Sequence, residues 1–281
     1  MAQKYGIGEI FGRSFARLSP DEVRTYSETN HRGMDCPFKG GTCSKAGGVC
    51  SLRCYTDATG ETEPVPDSLV TTCPNRFYEH DLIFKWVGET LIDCDEPKVL
   101  TELPFLMANT PHGGKRAVGR IDMVLLNDKP DGTLDWCALE MQAVYFSGKS
   151  ITEELKSLRS FTGPGIPFPT GTRRPDFRSS GPKRLMPQLQ IKVPTITRWG
   201  KKMAVIIDRE FWNSLGDIST VHDVSNCDTA WFVVDYKEQG KQFRIQRGDV
   251  FLTTLDRAVE GLTGGVPTSL HEFENTLRER L

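Results

Sequence analysis

The sequence predicts an α/β fold with a central mixed sheet flanked by helices, and three observations lead there. Three strand-like runs follow one another at 98–108, 118–127 and 134–146. Helical patterns stand on either side of them, at 75–92 and 147–161. A further apolar run, "KMAVIID" at 202–208, then supplies a buried strand. Helix, strand, strand, strand, helix, strand is the order of an α/β sandwich with a mixed sheet, not of alternating parallel βαβ units.

The elements follow from local chemistry. In "SPDEVRTYSETN", Ser19 is a helix cap, Pro20 suits the first turn, and Asp21 and Glu22 complement the helix N-terminus. Residues 31–73 are rich in Gly and Cys and have little periodicity, so something other than a hydrophobic core must order them. After Pro74, residues Phe77, Leu82, Ile83, Trp86 and Leu91 recur at helical spacing. The second and third strands flank Pro130-Asp131-Gly132-Thr133, a hairpin signal. "SGKSITEELKSLRSF" is the next helix, and a Pro- and Gly-rich basic loop spans 163–187. After 202–208, "REFWNSL" is a short helix and "TAWFVVDY" a strand; "DVFLTTLDRAVEGL" and "SLHEFENTLRERL" are expected to be helical.

The totals narrow the class. The chain has 281 residues, 38% hydrophobic and 26% charged, enough for one or two globular domains. No run approaches the roughly 20 apolar residues of a membrane helix, and the start lacks the apolar stretch of a signal peptide, so a cytoplasmic protein without a membrane partner is expected. Of eight cysteines, Cys36, Cys43, Cys50, Cys54 and Cys73 crowd one segment. In a reducing compartment that crowding reads as a metal site holding iron or zinc, with Cys54 a rival to Cys50 as ligand. Residues 1–75 therefore form a metal-binding domain ahead of a second domain at 76–281. The net charge of −2 conceals a basic stretch: residues 172–202 hold nine Lys or Arg and one acid, Asp176. Such a concentrated patch is suited to a polyanion, with Arg173, Arg174, Arg178, Lys183 and Arg184 as phosphate or guanine contacts.

Two carboxylates interrupt the apolar hairpin. Glu140 and Gln142 share one face of their strand. A hairpin closing near 129–132 sets Leu126 opposite Leu134 and Asp122 across from 138–140, beside Glu140. Converging carboxylates either repel or hold a hard cation; Mg²⁺ takes one or two of them and leaves its other positions to water and phosphate. That is the equipment of metal-dependent nucleases. Gln142 is no general base, so water activation falls to the metal and Gln142 positions it.

Asp122, the hairpin, and Glu140-x-Gln142 in this element order resemble the PD-(D/E)XK nuclease core, with Gln where Lys is usual. Joined to the succession "CPF", "C-x-K", "GVC" and "CPNR" upstream, the pattern resembles the NotI-type restriction endonucleases. The resemblance is carried by 36–76 and 119–149. It implies a four-cysteine metal site of Cys36, Cys43, Cys50 and Cys73, with Cys54 outside it, joined to a PD-(D/E)XK-like domain. It also implies Asp122, Glu140 and Gln142 as catalytic residues, with Asp122 and Glu140 on Mg²⁺. The expected activity is cleavage of double-stranded DNA at a short, palindromic, GC-rich site by a homodimer in a restriction-modification system, with no small-molecule substrate. The alternatives are a repair or mobile-element nuclease of low specificity and a DNA-binding module without catalysis.

Overall fold

The computed structural model describes residues 2–57, 60–111, 113–163, 165–265 and 268–281. Strands β1 (Ala2–Ile10), β2 (Arg13–Ser14), β3 (Val49–Asp57), β4 (Thr62–Pro64) and β5 (Val70–Thr71) form one sheet, with α1 (Pro20–Glu28) following β2. Helix α2 (Leu82–Leu91) leads into β6 (Lys98–Asn109), β7 (Lys115–Asp128) and β8 (Leu134–Met141). Then come β9 (Tyr145–Gly148), α3 (Ile151–Leu158), β10 (Arg173–Asp176), α4 (Phe177–Ser180) and α5 (Met186–Arg198). The chain ends with β11 (Met203–Asp208), α6 (Arg209–Asn213), β12 (Thr229–Gln239), β13 (Gln242–Thr253), α7 (Leu255–Thr263) and α8 (Leu270–Arg278).

The second sheet has the order β13-β12-β11-β8-β7-β6. Strand β11 runs parallel to β8 and β12, and the other neighbours are antiparallel, so the sheet is mixed as expected. Val124, Ala138, Val205 and Trp231 pack on one face against Leu189, Val193 and Ile196 of α5. Leu125, Leu139, Ile206 and Phe232 pack on the other against Ile83, Phe84 and Val87 of α2. All six residues of β11 are buried, which explains a strand that reads as an unbroken apolar run.

Three expectations are corrected. Residues 49–57, in the segment expected to lack a core, form β3, whose first seven residues are all buried. Ser51 and Arg53 interrupt the apolar pattern there and conceal the strand. Ser51 is satisfied inside, donating to Glu9 at 2.9 Å. The expected loop at 163–187 contains β10, α4 and the start of α5. Its prolines suggest irregular chain, yet Pro187 sits in the first turn of α5, where no amide hydrogen is needed, and Pro194 is accommodated inside that helix. Finally, residues 249–253 extend β13 and are not helical; α7 starts only at Leu255, after Thr254 caps it.

The two sheets are tied together by buried contacts. Leu155 and Leu158 of α3 pack with Ile7, Ile10, Leu52 and Tyr55 of the first sheet. Arg76, with no exposed surface, donates to Glu9 of β1 at 3.1 Å, to Glu79 at 2.8 Å and to the Phe243 carbonyl of β13 at 3.0 Å. Its guanidinium lies between the rings of Phe38 and Tyr236, 4.3 and 5.0 Å from their centroids. Removing one member of a buried ion pair strands the other charge, so Arg76→Ala should destabilise the fold by about 3–5 kcal/mol in urea unfolding. Arg76→Lys should recover little of this, because a lysine lacks the planar fork that serves three acceptors.

Candidate active site

The β7–β8 hairpin is wider than its sequence suggests: Asp128 pairs with Leu134, and Leu126 with Trp136 rather than Leu134. The ladder runs up to Met123↔Leu139, which leaves Asp122 and Glu140 as the next residues on the two strands. Asp122 is therefore where β7 parts from β8, half-exposed, while Glu140 is buried between β7 and β11, where it pairs in register with Val205. Gln142 follows the end of β8. Its backbone amide donates to the Ile206 carbonyl at 3.0 Å and its side-chain Nε2 to the Ala143 carbonyl at 2.6 Å.

Between the two carboxylates stands an ammonium that sequence reading misses. Lys192 Nζ donates to Asp122 Oδ1 at 3.2 Å and to Glu140 Oε2 at 2.8 Å. A lysine only 2% exposed is uncommon and requires paired partners. One signal could have found it. Lys192 falls three residues after Leu189 and four before Ile196, on the buried stripe of α5, but Pro187 and Pro194 disguise that stripe as loop. Burial pushes the Glu140 carboxyl up to about 7; Lys192 opposes this shift and Asp122 adds to it. The centre thus sets one ammonium between a buried and a half-exposed carboxylate.

Two grooves flank the centre. One of about 280 Å³ is lined by Glu140, Gln142, Lys45, Tyr145, Arg184 and Gln188. The other, of about 430 Å³, is lined by Asp122, Lys192, Arg120, Val118, Gln188 and Ile191 among others. Gln188 borders both. Arg184 stacks on the Tyr145 ring at 3.8 Å and donates to its hydroxyl at 3.0 Å. Arg174, Arg178 and Lys183 are exposed, whereas Arg173 is buried. Arg173 forms an internal ion pair with Glu154 and donates to the Ser150 carbonyl at 3.0 Å, so it does not face the grooves through its charge. Nothing in its sequence context distinguishes it from Arg174.

Cys36, Cys43, Cys50 and Cys73 are all buried. Cys50 lies near the start of β3, and its carbonyl accepts from the amides of Thr72 and Cys73 at 3.0 and 3.1 Å. Cys36 and Cys43 lie on a loop closed by Cys36 N to Gly41 O at 2.6 Å and Cys43 N to Met34 O at 2.8 Å. Burial raises the Cys73 thiol, Lys45 lowers it, and Cys36 and Cys43 raise it further; Cys50 is raised by burial and also by Cys73. The Cys54 thiol is raised by burial and by Glu210 instead, and its amide donates to the Ser68 hydroxyl. Among the described residues, no group of three or more His, Cys, Asp or Glu is arranged tightly enough to grip a metal ion as it stands. Lys45 links this loop to the first groove, its ammonium donating to the Thr72 carbonyl.

A family model described as "Restriction endonuclease NotI" matches residues 22–247 of the 281. A comparison with curated proteins found no match. The chain belongs to this restriction endonuclease family, whose members are deoxyribonucleases acting on DNA. Among the described residues, no helix is long and apolar enough to cross a membrane.

The buried Glu140 has a consequence for the metal-free protein. A carboxyl whose folded value is raised stabilises the fold fully below its ordinary range, and that stabilisation is lost as pH rises through about 7. Metal-free protein should lose stability across this window at up to about 1.4 kcal/mol per pH unit. Glu140→Gln should flatten the slope in pH-dependent urea melts.

Proposed function

We propose that this cytoplasmic restriction endonuclease hydrolyses phosphodiester bonds in double-stranded DNA with Mg²⁺ held by Asp122 and Glu140. We also infer a homodimer on a short, palindromic, GC-rich site, one centre per strand. The observation that carries this reading is the Asp122–Lys192–Glu140 cluster, set between two open grooves within the residues that match the family.

The helix–strand–strand–strand–helix–strand order, with the carboxylates on the second and third strands, supports a PD-(D/E)XK-like core at 76–281. In it, α5 is the crossover helix and β11 the fourth strand. When bound, Mg²⁺ supplies Lewis-acid activation of water and of the phosphodiester. The chain's own residues do the rest. Gln142, with Nε2 committed to Ala143, keeps Oε1 to accept from and orient a water. Lys192 provides the fixed positive charge that Gln142 cannot, positioned for negative charge developing on phosphate oxygens. Arg174, Arg178, Lys183 and Arg184 remain as DNA contacts, with Arg184 nearest the centre. Residues 1–75 act as a metal-binding unit in which Cys36, Cys43, Cys50 and Cys73 hold iron or zinc.

Digestion of a plasmid of known sequence with Mg²⁺ should give discrete bands; a smear would indicate a nuclease of low specificity. Asp122→Ala should abolish cutting and leave duplex binding intact, and cutting unchanged in that variant would overturn the catalytic assignment. Lys192→Met, which keeps the packed stem, should slow cleavage by about 10²–10³-fold. For the cysteine unit, a visible spectrum with elemental analysis distinguishes iron from zinc. A strong chelator should unfold residues 31–73 first by hydrogen exchange, and an unchanged exchange pattern after metal loss would remove the structural role.

A further inference from the structure

The β6–β7 hairpin extends past the sheet. Pairing of β7 with β8 covers only 123–128, yet β7 pairs with β6 as far as Lys115↔Asn109. The outer part of the hairpin is therefore a two-stranded ribbon with no third strand beside it among the described residues. Residues 103–121 include Lys115, Arg116 and Arg120 and no Asp or Glu, in a chain whose net charge is −2. All three cations are exposed, as are Leu106, Met107 and Val118.

Arg120 alternates onto the same side of β7 as Asp122, and a bulge at Val118, where Leu106 pairs with Gly119 and Met107 with Ala117, breaks the alternation before Arg116. At about 3.4 Å per residue, Arg120 lies roughly 7 Å and Arg116 roughly 20 Å along the strand from the carboxylate. Val118, Arg120 and Asp122 then form one wall of the groove whose other wall is Gln188, Ile191 and Lys192 of α5. Any phosphodiester that reaches Asp122 through this groove passes along the ribbon.

We infer that the part of the β6–β7 ribbon outside the sheet, residues 103–109 and 115–121, is a DNA-contacting arm, with Arg120 beside the phosphates of the strand to be cut and Lys115 and Arg116 on the duplex beyond. This rests on the endonuclease reading above. It adds a second basic surface, far in sequence from 172–202. The exposed Leu106, Met107 and Val118 belong to the same contact, because a two-stranded ribbon has the dimensions to enter a major groove and to place apolar side chains against base edges.

The test uses the full chain carrying Asp122→Ala, so that binding is read without cleavage, and a short mixed-sequence duplex as probe. Adding Lys115→Ala and Arg116→Ala should weaken binding and lower the slope of log affinity against log salt by about two, at roughly 0.9 for each phosphate no longer neutralised. Met107→Ala with Val118→Ala, added to the same Asp122→Ala chain, should leave that slope unchanged and reduce discrimination between the mapped cut site and the mixed sequence. An unchanged salt slope in the charge variant overturns the arm. So does dissociation of a dimer by the apolar variant in light scattering, which would make the ribbon a subunit contact. Failure of the Asp122→Ala chain itself to bind any duplex is a different result, and would overturn the endonuclease reading along with it.

Discussion

A buried guanidinium holds the two halves of this protein in register. Arg76 cannot shed its charge, and with no solvent to help it every donor must find an acceptor inside. Glu9 comes from the first sheet, Glu79 from the turn before α2, and the Phe243 carbonyl from the far edge of the second sheet. The aromatic faces of Phe38 and Tyr236 close the remaining sides. Arg76 follows Cys73 by three residues, and its amide donates to the Cys73 carbonyl at 3.0 Å. Fixing this guanidinium thus fixes Cys73, and with it Thr72, whose carbonyl receives Lys45 at the edge of the carboxylate groove. A run of hydrogen bonds thus leads from Arg76 through Cys73 and Thr72 to Lys45 at the edge of that groove.

At the centre itself the same physics is used with a different outcome. Arg76 is surrounded until nothing more is needed, whereas Lys192 is shared between two carboxylates of unequal exposure. Asp122 lines one groove, and the buried Glu140 borders the other, its carboxyl pushed up to about 7 by desolvation. Burial makes negative charge costly on the Glu140 side of this cluster, and the Asp122 side opens to solvent. The packing of α5 against β8 and β11 carries this ammonium into an otherwise apolar layer, where it partly offsets that cost.

Much of this is legible in the sequence, and the failures share a cause. Ser19, Pro20 and the acids after them announce the cap of α1, and the structure shows Ser19 and Glu22 in a reciprocal capping box. The strands at 98–109, 115–128, 134–141 and 203–208 and the mixed sheet follow from alternation, as does the nearness of Asp122 to Glu140, although the hairpin register is two residues off. What escapes is polar chemistry satisfied inside the fold. Ser51 and Arg53 hide β3, and Arg173 passes for a surface cation although Glu154 holds it in the interior. Lys192 is hidden twice, by the prolines of its helix and by being a lysine on an apolar stripe. Sequence periodicity weighs a residue by its affinity for water. Each of these has an internal partner, between 12 and 52 residues away, for at least one of its polar atoms, although Arg53 Nη1 and Arg173 Nε are buried without one.

The dispersal of the centre along the chain also bears on synthesis. Asp122 and Glu140 occupy neighbouring strands, but Lys192 follows them by 70 and 52 residues, on a helix that needs β11 beneath it. A ribosome adding about 5–20 residues per second completes the carboxylate hairpin seconds before it can seat the ammonium. Every truncated chain that ends before α5 therefore lacks a finished centre. In a family that acts on DNA, this ordering reserves the complete Asp122–Lys192–Glu140 cluster for chains that have already made α5 and β11.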